Sequence, residues 1–431
     1  MSPDPHSRRR FLSYLAGSPL LAAAGLDLTR LEKLFGGSWR DQTAGLDALQ
    51  QAAQDTTLIA SPREAFNVFD FEPVARKKLP PAHWGYLATG TDDDATIRAN
   101  REGFTRYTLR VRRLVDISKV DPSIEILGAK WETPILLCPV GSQRAFHPEG
   151  ELAVARAAKA RGHMQTLSTV GTTSYEDLSA ARGLPIWFQL YHRQDWNQTL
   201  AMIKRVEKAG CPVIAFTIDQ IGGGNRETMV REALRDERQC ERCHAGGRPL
   251  PGVSGRVDDR DNRRKPMLAD LVAGTPKLET GTPTWEFVDR IKQATKVKLF
   301  LKGIVTREDA ETAIEHGVDG VWVSNHGGRA ENSERASILC LPEVAAGVAG
   351  RVPIVVDSGF RRGTDIFKGL ALGANVVGIG RPYIWGLASF GQEGVETVLT
   401  LLRREFEIVM RQAATATVKR ITREYVVPRG T

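Results

Sequence analysis

The chain has 431 residues, 42% hydrophobic and 26% charged, which excludes a disordered, collagen-like or disulfide-scaffold protein. A net charge of +8 comes from 59 Lys and Arg against 51 Asp and Glu, but the opposite charges are interspersed and no basic stripe carries interleaved aromatics, so no nucleic-acid partner is expected. No run of about 18 apolar residues occurs, so no transmembrane segment is expected.

Residues 1–24 read as a twin-arginine signal peptide. Arg8-Arg9-Arg10-Phe11-Leu12 precedes a modest apolar stretch that ends in Ala22-Ala23-Ala24, a small-residue cleavage site. This predicts a periplasmic or otherwise exported protein that folds, often around a cofactor, before it crosses. Residues 25–65 form a polar, Ala- and Gln-rich connector, and 66–431 remain for the folded domain.

From residue 135 onward, short apolar runs alternate with amphipathic patterns. The runs are 135–138, 165–168, 186–190, 213–217, 299–302, 320–324, 353–357 and 376–380. Helical periodicity follows several of them, at 149–161, 196–208, 307–315 and 364–372. Near-continuous apolar strands separated by such helices predict a parallel sheet buried on both faces. Eight units predict an α/β fold of the closed (β/α)8 barrel type, with an N-terminal extension and a long loop after the fourth strand. The competing open doubly wound sheet lacks its fingerprint, since no GxGxxG follows the first strand.

Barrel active sites are built at the carboxyl ends of the strands. The runs end in Ser168, Gln189 with Tyr191, Thr217 with Asp219, Lys302, Ser324 with His326, Asp357 and Arg381. One such residue would be an ordinary buried hydrogen bonder; seven of eight strands ending this way predict one shared pocket. Asp357-Ser358-Gly359 and Gly378-Ile379-Gly380-Arg381 offer glycine amides and a cation where barrels bind phosphate. Lys302 is placed to neutralise negative charge on the ligand's other end, as beside a reduced flavin. His326 is a candidate general base with Asp219 to hold its imidazole. Arg226 and Arg329 are guanidinium forks suited to a carboxylate.

These residues resemble the FMN-dependent α-hydroxy-acid oxidase/dehydrogenase family. The similarity runs from about Asn67 to Pro428 and is most specific at Ser324-Asn325-His326-Gly327-Gly328-Arg329, with Asp357 to Asp365, Thr217-Ile218-Asp219, His147 to Glu151, Phe188 to Tyr191 and Tyr86 to Gly90 in support. The resemblance implies an enzyme that oxidises an L-2-hydroxy acid to the 2-oxo acid. His326 would take the proton with Asp219 as its partner, Arg226, Arg329 and Tyr86 would hold the carboxylate, and Tyr191 would bond the hydroxyl. Ser168, Gln189, Thr217 and Lys302 would contact the flavin ring with Ser324 nearby, and the main chain of Pro139, Val140 and Gly141 would face its N5. Asp357, Gly359, Arg361, Gly380 and Arg381 would serve the ribityl phosphate end, and the assembly would be a homotetramer. Export favours a quinone or cytochrome as electron acceptor, with O2 the alternative; a non-catalytic flavin or haem electron carrier would need no base and no carboxylate clamp.

Three departures from the family pattern stand out. Ala330-Glu331-Asn332 replaces the usual Gln-Leu-Asp, which is expected to alter the support of His326 and Arg329; Gly141 replaces an Ala, which reads as a neutral small-for-small swap, with added space over N5 as the alternative; and Leu87 replaces the second Tyr of a pair. The 56 residues of the loop 229–284 far exceed the roughly 2–6 of an ordinary βα connection. Inside it Cys240-Glu241-Arg242-Cys243-His244 has the CxxCH pattern of covalent haem c attachment, with Met229, Met267 or a histidine as second iron ligand. A Cys240–Cys243 disulfide or half of a zinc site are the rival readings. Cys138, Cys211 and Cys340 are expected to be buried small hydrophobes.

Overall fold

The computed structural model describes residues 58–220, 224–238, 265–269 and 282–430. From Ser61 on they form one compact unit, which begins ahead of the expected residue 66 with a buried Pro62 in a 3-10 turn. Three helices lead in: α1 (Phe71–Lys78), α2 (Pro81–Ala88) and α3 (Ala95–Glu102). Strand β1 (Tyr107–Leu109) and the hairpin β2 (Ile124–Ile126) and β3 (Ala129–Trp131) follow.

The barrel then runs β4 (Ile135–Leu137), α4 (Gly150–Ala160), β5 (Met164–Ser168), α5 (Tyr175–Arg182), β6 (Trp187–Tyr191), α6 (Trp196–Lys208), β7 (Val213–Thr217), α7 (Glu227–Leu234), α8 (Pro266–Ala269), α9 (Trp285–Ala294) and β8 (Lys298–Ile304). It continues α10 (Arg307–Glu315), β9 (Gly320–Val323), α11 (Ser337–Val348), β10 (Ile354–Val356), α12 (Gly363–Ala371), β11 (Val376–Ile379), α13 (Arg381–Gln412) and β12 (Val426–Pro428). Strands β4 to β11 close in the order β10-β11-β4-β5-β6-β7-β8-β9, all parallel, with β9 paired to β10. All eight apolar runs read from the sequence are these strands. Their residues are almost wholly buried because helices cover one face and the barrel interior the other.

Local signals set the helix starts. Ser174, Asp195 and Thr306 accept backbone N–H bonds at the N-termini of α5, α6 and α10. α13 is two helices joined at Phe390 and Gly391, whose backbone leaves the helical region. Part of the long segment after β7 is regular: α7 starts directly after Arg226, and α8 buries Met267 and Leu268. The β2–β3 hairpin closes the amino end of the barrel, where Trp131 meets Trp187 and Trp187 meets Phe300 and Trp322. That leaves the carboxyl end free to carry chemistry.

Candidate active site

The carboxyl ends of the strands surround a cavity of about 470 Å3. Every strand-end residue singled out from the sequence lines it except Asp219 and Ser324, and those two bond directly to residues that do. Strand register explains the convergence: Ser168 sits beside Gln189, Tyr191 beside Thr217, and Thr217 beside Lys302. Ser168 Oγ donates to Gln189 Oε1 at 3.1 Å and Gln189 Nε2 donates to Thr217 Oγ1 at 3.0 Å, forming one polar wall.

His326 is held on three sides. Its Nδ1 lies 2.7 Å from Asp219 Oδ1, its Nε2 3.3 Å from the Tyr191 hydroxyl, and its backbone N–H donates to Ser324 Oγ at 3.0 Å. An ionised carboxylate only accepts, so Nδ1 carries the proton and Nε2 keeps its lone pair toward the cavity. The backbone of His326 has φ 57, a left-handed conformation that a reciprocal Asn100–Asn325 amide pair helps to enforce at 2.9 Å in both directions. Burial pushes the imidazole pKa down; Asp219 opposes this, and the net shift is downward. Burial alone would raise the Asp219 carboxyl, but His326 and Lys302 outweigh it and hold it below its ordinary value. The close approach of Asp219 depends on Gly303: a bulge in β8 gives Gly303 φ 117, and a Cβ there would stand 2.8 Å from the Asp219 Cβ.

Lys302 is buried, donates to Ser324 Oγ at 2.9 Å, and lies 3.6 Å from Asp357 and 3.9 Å from Asp219. Desolvation would lower its pKa, but the two carboxylates prevail and raise it, so the ammonium is fixed at the barrel mouth. Asp357 also accepts from Trp322, Ser324 and Ser358 at 2.7–2.9 Å. A carboxylate repels a phosphate dianion, so Asp357 fits hydrogen-bond donors of a ligand and charge balance with Lys302, not the phosphate itself.

The guanidiniums tell the opposite story. Arg329 donates to the carbonyls of Tyr86 and Thr89 at 2.7 and 2.9 Å and lies over the Tyr86 ring, and Arg226 donates to Gln220 Oε1 at 3.3 Å. Among the described residues the Arg361 side chain bonds only the Phe360 carbonyl and stacks on Trp385, while Arg381 bonds the carbonyls of Leu87, Ala88, Thr89 and Gly327. Among the described residues none of the four has a carboxylate within salt-bridge distance. Burial, with neighbouring arginines adding to it, pushes Arg329 down to about 9 and Arg361 and Arg381 down to about 10. Arg361 is buried and the other three are half-buried, and cations held in a cavity without anions are costly unless a ligand supplies the charge. Arg381 also opens α13, where the helix dipole already favours an anion, and Gly380 before it has open space on its side-chain face. Arg361, Arg381 and the glycine amides therefore fit a phosphate, and the polar wall with Lys302 fits a polar ring system, as FMN requires.

The structure revises one expectation and removes one alternative. Residues 330–332 make no hydrogen bond to the His326 or Arg329 side chains: Asn332 bonds Asp93 and Thr96, and Glu331 bonds Ser333. Support for the site comes from Asp219, Tyr191, Ser324 and the carbonyls of Tyr86 and Thr89, so the altered tripeptide leaves it intact. Gly141 does not open space either. A Cβ there would stand 2.6 Å from Val170 Cγ2, so the glycine makes room for the valine, which lines the cavity in its place. Cys138, Cys211 and Cys340 are buried free thiols. Cys240, Cys243 and His244 lie outside the described residues; among those described, no cluster of three metal-binding side chains occurs and no helix is long and apolar enough to cross a membrane. Sequence reading missed Arg193 and Gln220, which follow the strand ends at Tyr191 and Asp219 and also line the cavity.

Comparison with known proteins gives a consistent picture. Residues 75–428 match the family of FMN-dependent dehydrogenases. The chain is 37% identical over 363 residues to glycolate oxidase 3 of Arabidopsis thaliana and 37% identical to glycolate oxidase of Spinacia oleracea, covering 84% of this chain and 96% of each relative. Among solved structures, a mandelate oxidase bound to (S)-2-phenylpropionate shares 35% identity at TM-score 0.72, covering 83% of this chain and 97% of its own. A Pediococcus acidilactici protein described as a lactate oxidase shares 33% at TM-score 0.76, covering 85% and 96%.

Proposed function

The chain belongs to the FMN-dependent dehydrogenase family, and on that premise we propose that it oxidises an L-2-hydroxy acid, lactate-like in its reacting end, to the 2-oxo acid. The observation that carries this reading is the His326–Asp219 pair with Tyr191, set in one cavity with two half-buried arginines that have no carboxylate partner among the described residues. Arg226 and Arg329 bind the substrate carboxylate bidentately and fix its orientation. Tyr191 donates to the substrate hydroxyl oxygen; burial and the nearby Asp219 hold its phenol well above the usual range, so it stays a donor. His326 Nε2 takes a proton from the substrate, and Asp219 stabilises the resulting imidazolium. When bound, FMN supplies the acceptor for the two electrons of the oxidation. Arg361, Arg381, Gly359 and Gly380 would hold its phosphate end, with Ser168, Gln189, Thr217 and Lys302 at its ring.

The twin-arginine leader supports an exported enzyme, and with it a quinone or cytochrome as the electron acceptor. A second reading, O2 as acceptor, is favoured by the relatives, which are named as oxidases. For Cys240 and Cys243 we carry forward a disulfide in the oxidising compartment, since nothing beyond the CxxCH pattern supports haem c; a homotetramer is the assembly the resemblance implies. The test is anaerobic addition of L-lactate and L-mandelate to the FMN-loaded enzyme, followed by O2 or a quinone analogue. Bleaching of the flavin bands supports the reading, and their persistence with every 2-hydroxy acid overturns it; faster reoxidation by the quinone supports the acceptor assignment, and faster reoxidation by O2 reverses it. A Soret band surviving acid-acetone extraction would replace the disulfide with covalent haem.

A further inference from the structure

Charge accounting around the cavity leaves one group over. Among the described residues six cations line it, Arg193, Arg226, Lys302, Arg329, Arg361 and Arg381, against the single carboxylate of Asp357. Lys302 is matched by Asp357 and Asp219. Arg361 and Arg381 answer to the cofactor phosphate, and Arg226 and Arg329 to the substrate carboxylate. Arg193 has no counterpart in that scheme.

Arg193 is only 4% exposed, so solvent does not meet its charge. Its one hydrogen bond is a long one, Nε to Gln198 Oε1 at 3.4 Å, and among the described residues no carboxylate pairs with it and no aromatic ring receives it. Arg193 lines the cavity, and its terminal nitrogens have no hydrogen-bond partner among the described residues. Desolvation pushes the guanidinium down to about 10, which still leaves it cationic at neutral pH. It lies two residues past Tyr191 beyond the end of β6, so the element that presents the hydroxyl-binding phenol also presents this cation. A buried fork of donors with no acceptor is a costly arrangement in an empty site and a selective one in an occupied site.

We propose that Arg193 binds a second anionic group at the far end of the substrate, so that the preferred substrates are dicarboxylic 2-hydroxy acids. The inference rests on the hydroxy-acid reading above and names the substrate class for that site. With the α-carboxylate on Arg226 and Arg329 and the distal carboxylate on Arg193, the substrate is held at both ends and its reacting carbon is fixed between them. A substrate ending in methyl leaves Arg193 as unpaired as in the empty site and gains nothing from it, so the preference comes from the added binding of the dicarboxylic acid.

The test compares acids of equal chain length on the FMN-loaded enzyme, (S)-2-hydroxyglutarate against (S)-2-hydroxypentanoate and L-malate against (S)-2-hydroxybutanoate, by anaerobic flavin reduction. The dicarboxylic member of at least one pair is expected to react with kcat/KM about 10- to 100-fold higher. Arg193→Met should abolish that preference while changing the monocarboxylic rate by less than about 3-fold, and Arg193→Lys should keep part of it. A wild-type preference for the monocarboxylic member of both pairs, or an equal loss on both classes in Arg193→Met, overturns the proposal. If no 2-hydroxy acid reduces the flavin, the hydroxy-acid reading itself fails, and binding still judges Arg193. 2-Oxoglutarate should perturb the flavin spectrum at about 10-fold lower concentration than 2-oxopentanoate in the wild type and not in Arg193→Met, and equal affinities in the wild type overturn the assignment.

Discussion

At His326 two opposed influences meet: burial disfavours the imidazolium, and the Asp219 carboxylate favours it. The net lowering makes the neutral ring, able to take a proton, the predominant form at and above its ordinary pKa of 6.5. The sign follows directly. As pH falls, kcat/KM of the free enzyme should decline with a midpoint below 6.5 and drop about tenfold per unit on the acid side of that midpoint. A pH profile of the wild-type enzyme checks this, and an acid limb centred above pH 7 would contradict it. His326 was legible in the sequence because its neighbours in the chain, Ser324 to Arg329, form a contiguous pattern and because it falls at a strand end. Arg193 was not legible: an arginine two residues beyond a strand end is an ordinary surface residue until tertiary structure buries it without an anion.

Between elements, the contact of Gly141 after β4 with Val170 after β5 shows how one small change propagates. Gly141→Ala places a methyl group against a β-branched side chain that has little freedom to yield, and should cost about 1–3 kcal/mol of stability in the FMN-loaded enzyme. The double variant with Val170→Ala should recover most of that loss, and urea unfolding of both variants measures it. Loss of the same size in both variants would mean that the contact does not set the cost. The alternation of apolar runs with helical periodicity made all eight barrel strands readable, and the helices 196–208 and 307–315 to the residue. The Gly141–Val170 pair joins loops distant in the chain, and the sequence shows only that a glycine is present. The tripeptide 330–332 misled for the same reason: nothing in the chain says which way Asn332 turns, and it turns to Asp93 and Thr96.

For the molecule as a whole, the barrel divides its labour between ends. Trp131, Trp187, Phe300 and Trp322 pack the amino end, and the polar strand ends are left to build the cavity at the other. β1 pairs antiparallel with β12, tying the segment before the barrel to the carboxyl terminus. This division follows from eight repeated units and was legible at low resolution, whereas the hairpin that plugs the barrel left no distinct mark in the pattern. The address of the protein belongs to this scale too. Replacing Arg8 and Arg9 together by lysine should retain the protein in the cytoplasm of its host, with the precursor accumulating uncleaved. Cell fractionation checks this, and unchanged export of the double variant would remove the argument for a quinone or cytochrome acceptor.

The central claim is that His326, poised by Asp219, takes the substrate proton while two arginines hold the carboxylate. Its most direct test is the rate of anaerobic flavin reduction by the best 2-hydroxy acid in wild type and in His326→Ala, with FMN content confirmed in both. A fall of about 100- to 10,000-fold with FMN still bound is the predicted result. Reduction at the wild-type rate in the FMN-loaded variant would contradict the account.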